Sequence, residues 1–69
     1  MEFYRLHLDD TDYFYKNLNN ALRMGELFLR EYFSMDSEED EVIEYWWESW
    51  VAYDGHRKFC YITKEMMED

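Results

Sequence analysis

Between residues 13 and 33 the apolar side chains return at every third or fourth position. Phe14, Leu18, Ala21, Leu22, Gly25, Phe28, Leu29 and Tyr32 fall on one stripe, while Lys16, Asn19, Asn20, Arg23, Glu26 and Arg30 fall on the other. A 3.6-residue period held over that length predicts an amphipathic helix with one buried face. Such a helix needs something to cover it, so the rest of the chain must supply a matching layer. Gly25 lies on the buried stripe, where glycine costs ~1 kcal/mol relative to alanine in a helix interior. We therefore expect it to admit the close approach of a strand.

The covering layer reads as a small sheet. The stretch EFYRLHL (residues 2–8) alternates, with Tyr4, Leu6 and Leu8 on one face and Phe3, Arg5 and His7 on the other, as a half-buried strand does. DDTD (residues 9–12) reads as a turn, and Asp10 or Thr11 can cap the helix that follows. Acids at Asp9, Asp10 and Asp12 also suit the positive end of a helix dipole. Later, YDGHR (residues 53–57) carries an Asp-Gly hairpin signal between the strand-like flanks ESWVAY and KFCYIT. A two-residue turn would pair Tyr53 with His56, Val51 with Lys58 and Trp50 with Phe59, and a Gly-bulged loop would shift that register by one. Both remain open.

SEEDEVIEYWW (residues 37–47) is ambiguous. Ser37 as cap, Asp40 three residues on, and Val42, Ile43, Trp46 and Trp47 at helical spacing fit a helix. The same residues alternate as a strand, with Ile43, Tyr45, Trp47, Ser49 and Val51 on one side. Because Trp, Tyr, Val and Ile favour sheet, we read a strand. Trp47 then faces inward, with Trp46 and Trp50 outward. The tail KEMMED (residues 64–69) can add a last helical turn. The expected fold is α+β: one long helix packed on a three-stranded antiparallel sheet in the order β-α-β-β.

With 69 residues there is room for a single domain, spanning 1–69, whose core is marginal. Cys60 is the lone cysteine, so no internal disulfide staples the chain, and a single thiol fits a reducing cytoplasm. Aromatic residues make up 22% of the chain. Each large ring buries ~150–250 Å², which argues for a folded domain rather than an acidic disordered tail. The start MEFYRLHLDD has neither the basic nor the apolar region of a signal peptide, and nowhere do about 18 apolar residues run together. A soluble cytoplasmic protein is expected.

The formal net charge is −10, which argues against binding a nucleic-acid backbone or an anionic membrane, since both call for basic patches. The charge is concentrated. Residues 34–48 hold Asp36, Glu38, Glu39, Asp40, Glu41, Glu44 and Glu48 with no basic residue among them. Such crowding destabilises a compact state through self-repulsion, which suggests a use for it.

Chemistry of other kinds finds little footing. His7, His56 and Cys60 match no zinc spacing. DSEEDEVIEYWW (residues 36–47) places acids at the first, third and fifth positions of a calcium loop. It lacks the glycine at the sixth, and Trp47 stands where the closing glutamate belongs. His56 and Cys60 are ~13 Å apart if they share a strand, too far for a catalytic dyad. No phosphate-binding glycine loop is present. We expect no enzyme activity, metal or cofactor.

Recognition is what remains. Acids steer encounter with a basic partner, and aromatics anchor it once there. The expected partner-binding residues are Asp36, Glu38, Glu39, Asp40, Glu41, Glu44 and Glu48, with Trp46, Trp47 and Trp50 as anchors. The partner is a basic nucleic-acid-binding protein, because carboxylates ~6.6–6.8 Å apart along a strand approximate phosphate spacing. Surplus aromatics also suit a homodimer formed through edge or outer-face strands. In size, charge, α+β pattern and the segment EEDEVIEYWWESW (residues 38–50), the chain resembles the small acidic phage-encoded inhibitors, which include anti-CRISPR proteins and DNA mimics. The resemblance implies a non-enzymatic inhibitor of a CRISPR effector. A DNA mimic acting on a nucleoid-associated or other host DNA-binding protein is the alternative, and a self-associating structural or regulatory module is another.

Overall fold

The computed structural model of the chain describes residues 1–34 and 39–67. Six elements follow one another: β1 Glu2–Leu8, β2 Thr11–Tyr15, α1 Leu18–Tyr32, α2 Glu39–Ser49, β3 Val51–Asp54 and β4 Arg57–Met66. The strands form one antiparallel sheet in the order β2-β1-β4-β3. The class is α+β, as expected, but the sheet has four strands instead of three, and there are two helices instead of one. No helix among the described residues is long and apolar enough to cross a membrane.

β1 follows its alternation. Leu6 and Leu8 are buried and Tyr4 half-buried on the face beneath the helices. The turn after it does not lead into a helix. Asp9 adopts a left-handed φ of 57°, and its carboxylate accepts from Arg57 Nη2 at 2.8 Å. Its amide donates to the Phe59 carbonyl at 3.0 Å. Held from β4 in this way, the chain folds back as β2, with Leu8 opposite Thr11 and Arg5 opposite Phe14. Residues 13–15, expected within the helix, are therefore strand, and Phe14 is 63% exposed on the sheet's open face. The helix starts later. Asn17, not Asp10 or Thr11, is its cap, with a side chain that accepts from the Asn19 amide at 2.8 Å.

α1 buries Ala21, Leu22, Gly25 and Leu29, the middle of the expected stripe. The space over Gly25 is taken by α2, correcting the expectation of a strand there. A Cβ at Gly25 would lie 2.1 Å from Trp46 Cζ2, so only glycine lets this indole lie flat against α1. Trp46 is fully buried, and its Nε1 donates to the Leu22 carbonyl at 3.0 Å.

Ser37, the expected cap, lies outside the described residues, but from Glu39 onward the segment read as a strand is helical. Ile43 and Trp46 form its buried face, and Glu39, Asp40 and Glu41 occupy its first turn, where acids stabilise the positive end of the dipole. Trp50 then takes a left-handed φ of 64°. Its amide donates to the Trp46 carbonyl at 2.8 Å, and its carbonyl accepts from the Ile62 amide at 2.9 Å. One residue thus ends α2 and enters the sheet.

The hairpin is present, but its register matches neither expectation. Gly55 has φ 66°, Asp54 faces Arg57 and Tyr53 faces Lys58, while Ala52 faces Cys60. The shift between Ala52 and Tyr53 leaves Phe59 as an extra residue, a β-bulge. Consequently Phe59 and Cys60, neighbours in sequence, are both buried. Phe59 packs against Phe28, Tyr32 and Phe33, with ring centroids 4.8–6.2 Å apart. The expected helical turn at the tail is strand through Met66.

Candidate acidic interface on α2

α2 has two opposed faces. Along a helix each residue turns 100°, so Glu41, Glu44 and Glu48 cluster on the side opposite Trp46. All three are exposed, and among the described residues none joins an ion pair, whereas Glu39 and Asp40 each lie 3.8 Å from Arg30. No basic residue occurs in the last turn of α2. Glu48 therefore stands at the negative end of the helix dipole, a placement costing ~0.3–1 kcal/mol. Glu41–Glu44 and Glu44–Glu48 are like-charge neighbours at three and four residues, each costing ~0.2–0.5 kcal/mol. The stripe is unfavourable for the helix that carries it.

The three tryptophans, expected together as anchors, do different things. Trp46, assigned outward under the strand reading, is the largest fully buried side chain among the described residues. Trp47, assigned inward, is 36% exposed, and its Nε1 donates to Glu26 Oε1 at 2.6 Å. This bond, with help from Arg30, holds the Glu26 carboxyl below its ordinary pKa against a modest opposing effect of burial. Trp50, also assigned outward, is half-buried and packs edge-on against Tyr4 at 6.3 Å. A helix reverses the strand assignment because it sends neighbouring side chains 100° apart rather than to opposite faces.

Of the expected residues, the structure brings together Glu41, Glu44, Glu48 and Trp47, with Asp40 beside them. Asp36 and Glu38 lie outside the described residues. Tyr45, 50% exposed on the other flank of the stripe, is an addition. Its spacing from Glu41 and Glu48, four and three residues, would have placed it there once a helix was drawn.

Elsewhere, Cys60 is buried in the core, and desolvation pushes its thiol up to about 12. It is not a nucleophile at neutral pH. On the open face of the sheet His7 Nδ1 lies 2.7 Å from Asp12 Oδ1, and its ring stacks on Tyr61 at 4.7 Å. Among the described residues no three His, Cys, Asp or Glu side chains gather as metal ligands would. Comparison with protein-family models, with curated proteins and with solved structures returned no match.

Proposed function

We propose that the protein is a non-enzymatic inhibitor that binds a basic nucleic-acid-binding protein through the outer face of α2. A CRISPR effector is the first target to test, making this an anti-CRISPR protein; a nucleoid-associated or other host DNA-binding protein is the second. The observation that carries this reading is the Glu41–Glu44–Glu48 stripe, unpaired among the described residues and set on a helix that it destabilises. Carboxylates one turn apart lie ~5–6 Å from each other along the axis, on the scale of phosphates along a nucleic-acid strand. Trp46 fixes the helix to the core, so the charges are presented in a rigid array. They raise the encounter rate with a cationic cleft, and Tyr45 and Trp47 supply flanking contact surface.

The test is competition. Purified protein added to a CRISPR effector should displace target DNA, and its association rate should fall steeply from low to high salt, since surface charges are screened within ~8 Å at physiological ionic strength. The triple variant Glu41→Gln, Glu44→Gln, Glu48→Gln should slow association while keeping the fold. Rates that ignore both salt and this variant would sink the mimicry.

A further inference from the structure

β2 is an edge strand with no neighbouring strand on its outer side among the described residues. Its five residues are Thr11, Asp12, Tyr13, Phe14 and Tyr15, and only Tyr15 is even partly buried. Edges of this kind are ordinarily blunted by proline, a bulge or charged side chains. β2 has no proline or bulge, and its one charge, Asp12, is engaged with His7 across the β1–β2 pair. Instead Tyr13 is 45% and Phe14 63% exposed. Phe14 lies 5.8 Å from Phe3 of β1, and both rings line an apolar cavity of about 430 Å³ with Met1, Tyr15, Lys16 and Met67.

We propose that β2 pairs with β2 of a second copy, antiparallel about a two-fold axis through Phe14, joining two four-stranded sheets into one. The main chain permits it. The two-residue turn at Asp9 and Asp10 makes Leu8 and Thr11 a closing pair, so Tyr13 and Tyr15 also bond towards β1. The N–H and C=O groups of Asp12 and Phe14 point to the free edge. The side chains match as well. With Phe14 facing the partner's Phe14, Tyr13 faces the partner's Tyr15, and Asp12 faces the partner's Lys16. The carboxylate and ammonium meet twice, once on each side of the axis. Asp12 keeps 41% of its side chain exposed while bonded to His7, so it has room for the ammonium as well. Phe14 and Phe3 of both copies then form one apolar cluster across the seam.

Charge restricts the choice of face further. Two chains of net charge −10 cannot approach through α2 without strong repulsion. α2 packs against β3, the edge farthest from β2, so the two-fold axis keeps the acidic helices at opposite ends. The area is adequate for a modest dimer. At ~200 Å² per large side chain, the exposed parts of Phe14, Met1, Met67 and Tyr13 supply roughly 450 Å² per copy. The strand's own edge brings the total towards the ~600 Å² per partner at which standard interfaces begin. This proposal is independent of what α2 binds.

Sedimentation velocity of the full chain, from micromolar to sub-millimolar concentration, should show a monomer passing into a dimer. Lys16→Asp, which sets two carboxylates against each other at each end of the seam, should shift that transition to at least tenfold higher concentration. Adding Asp12→Lys in the same chain restores opposite charges and should bring the dimer back. Phe14→Cys, at an exposed position with the native thiol buried, should form a disulfide-linked dimer on mild oxidation, and Tyr53→Cys should not. A monomer at every concentration would overturn the proposal. So would a dimer indifferent to Lys16→Asp, or one whose Phe14→Cys variant fails to cross-link.

Discussion

The inner and outer faces of α2 are a helix's width apart and are built on opposite principles. Inside, Trp46 lies in a space that a single Cβ on Gly25 would close, and its one polar atom is satisfied. Outside, Glu41, Glu44 and Glu48 stand in water with no ion pair among the described residues, repelling one another, and Glu48 lies at the negative end of the helix dipole. The inner face gains from every contact, and the outer face carries a net cost. Stability therefore resides on one side of the helix, and the other side is open to selection for binding.

Four variants test that division, from the largest effect to the smallest. Trp46→Ala should cost ~3–5 kcal/mol, the range for truncating a core tryptophan, which is much of a small domain's total stability. Urea denaturation would show a loss near 4 kcal/mol or no folded baseline at all, and a loss under 1 kcal/mol would mean that the contact of Trp46 with α1 is not central to the core. Gly25→Ala should cost ~1–3 kcal/mol through overpacking against the indole, even though alanine gains ~1 kcal/mol in helix propensity. A rise in the melting temperature of this variant would show that Trp46 can move aside.

Trp47→Phe removes the indole donor from Glu26 and should cost ~1 kcal/mol at neutral pH. The Glu26 carboxyl has its folded pKa depressed below 4.5 chiefly by this bond. Its contribution is thus present above the unfolded pKa and is lost as pH falls through the folded one. The gap in melting temperature between wild type and variant should accordingly narrow below pH ~4. A gap of constant size across that range would mean that packing alone is at stake. The smallest effect has the opposite sign. Glu41→Gln, Glu44→Gln and Glu48→Gln together should raise stability by ~0.5–1 kcal/mol at low salt, since like-charge pairs and an unfavourable dipole contact are removed. A clear loss of stability would show that the stripe is structural after all.

Local pattern was enough to read much of this fold. β1, the centre of α1 and the hairpin around Gly55 rest on alternation, a 3.6-residue period and a turn dipeptide, all of which act within a few residues. What was misread depends on partners distant in the chain. Asp9 holds its left-handed turn through Arg57 and Phe59, 48 and 50 positions away, so Asp-Asp, which is no standard hairpin signal, hid β2. The aromatic residues of α2 favour sheet by propensity, and their helix is secured by Gly25 on another element. The same error exchanged the environments of Trp46 and Trp47. The acidic composition of the candidate site was plain, but which carboxylates share one face was visible only once the helix was established. The bulge at Phe59 left no local sign at all.

The strand order carries a consequence for how the chain reaches this state. β4 leaves a ribosome after the other five elements, yet it lies between β1 and β3 and pairs with both. Until it arrives, β1 is paired with β2 alone, β3 has no partner strand, and the rings of Phe28, Tyr32 and Phe33 lack Phe59. Joining β1 to β4 closes a loop that spans the four elements between them, the kind of contact that slows folding most. Nascent protein would therefore hold Leu6, Ile43 and Trp46 without their final cover. In that interval the dense negative charge has a second effect: mutual repulsion between unfinished chains keeps them from aggregating before the sheet can close.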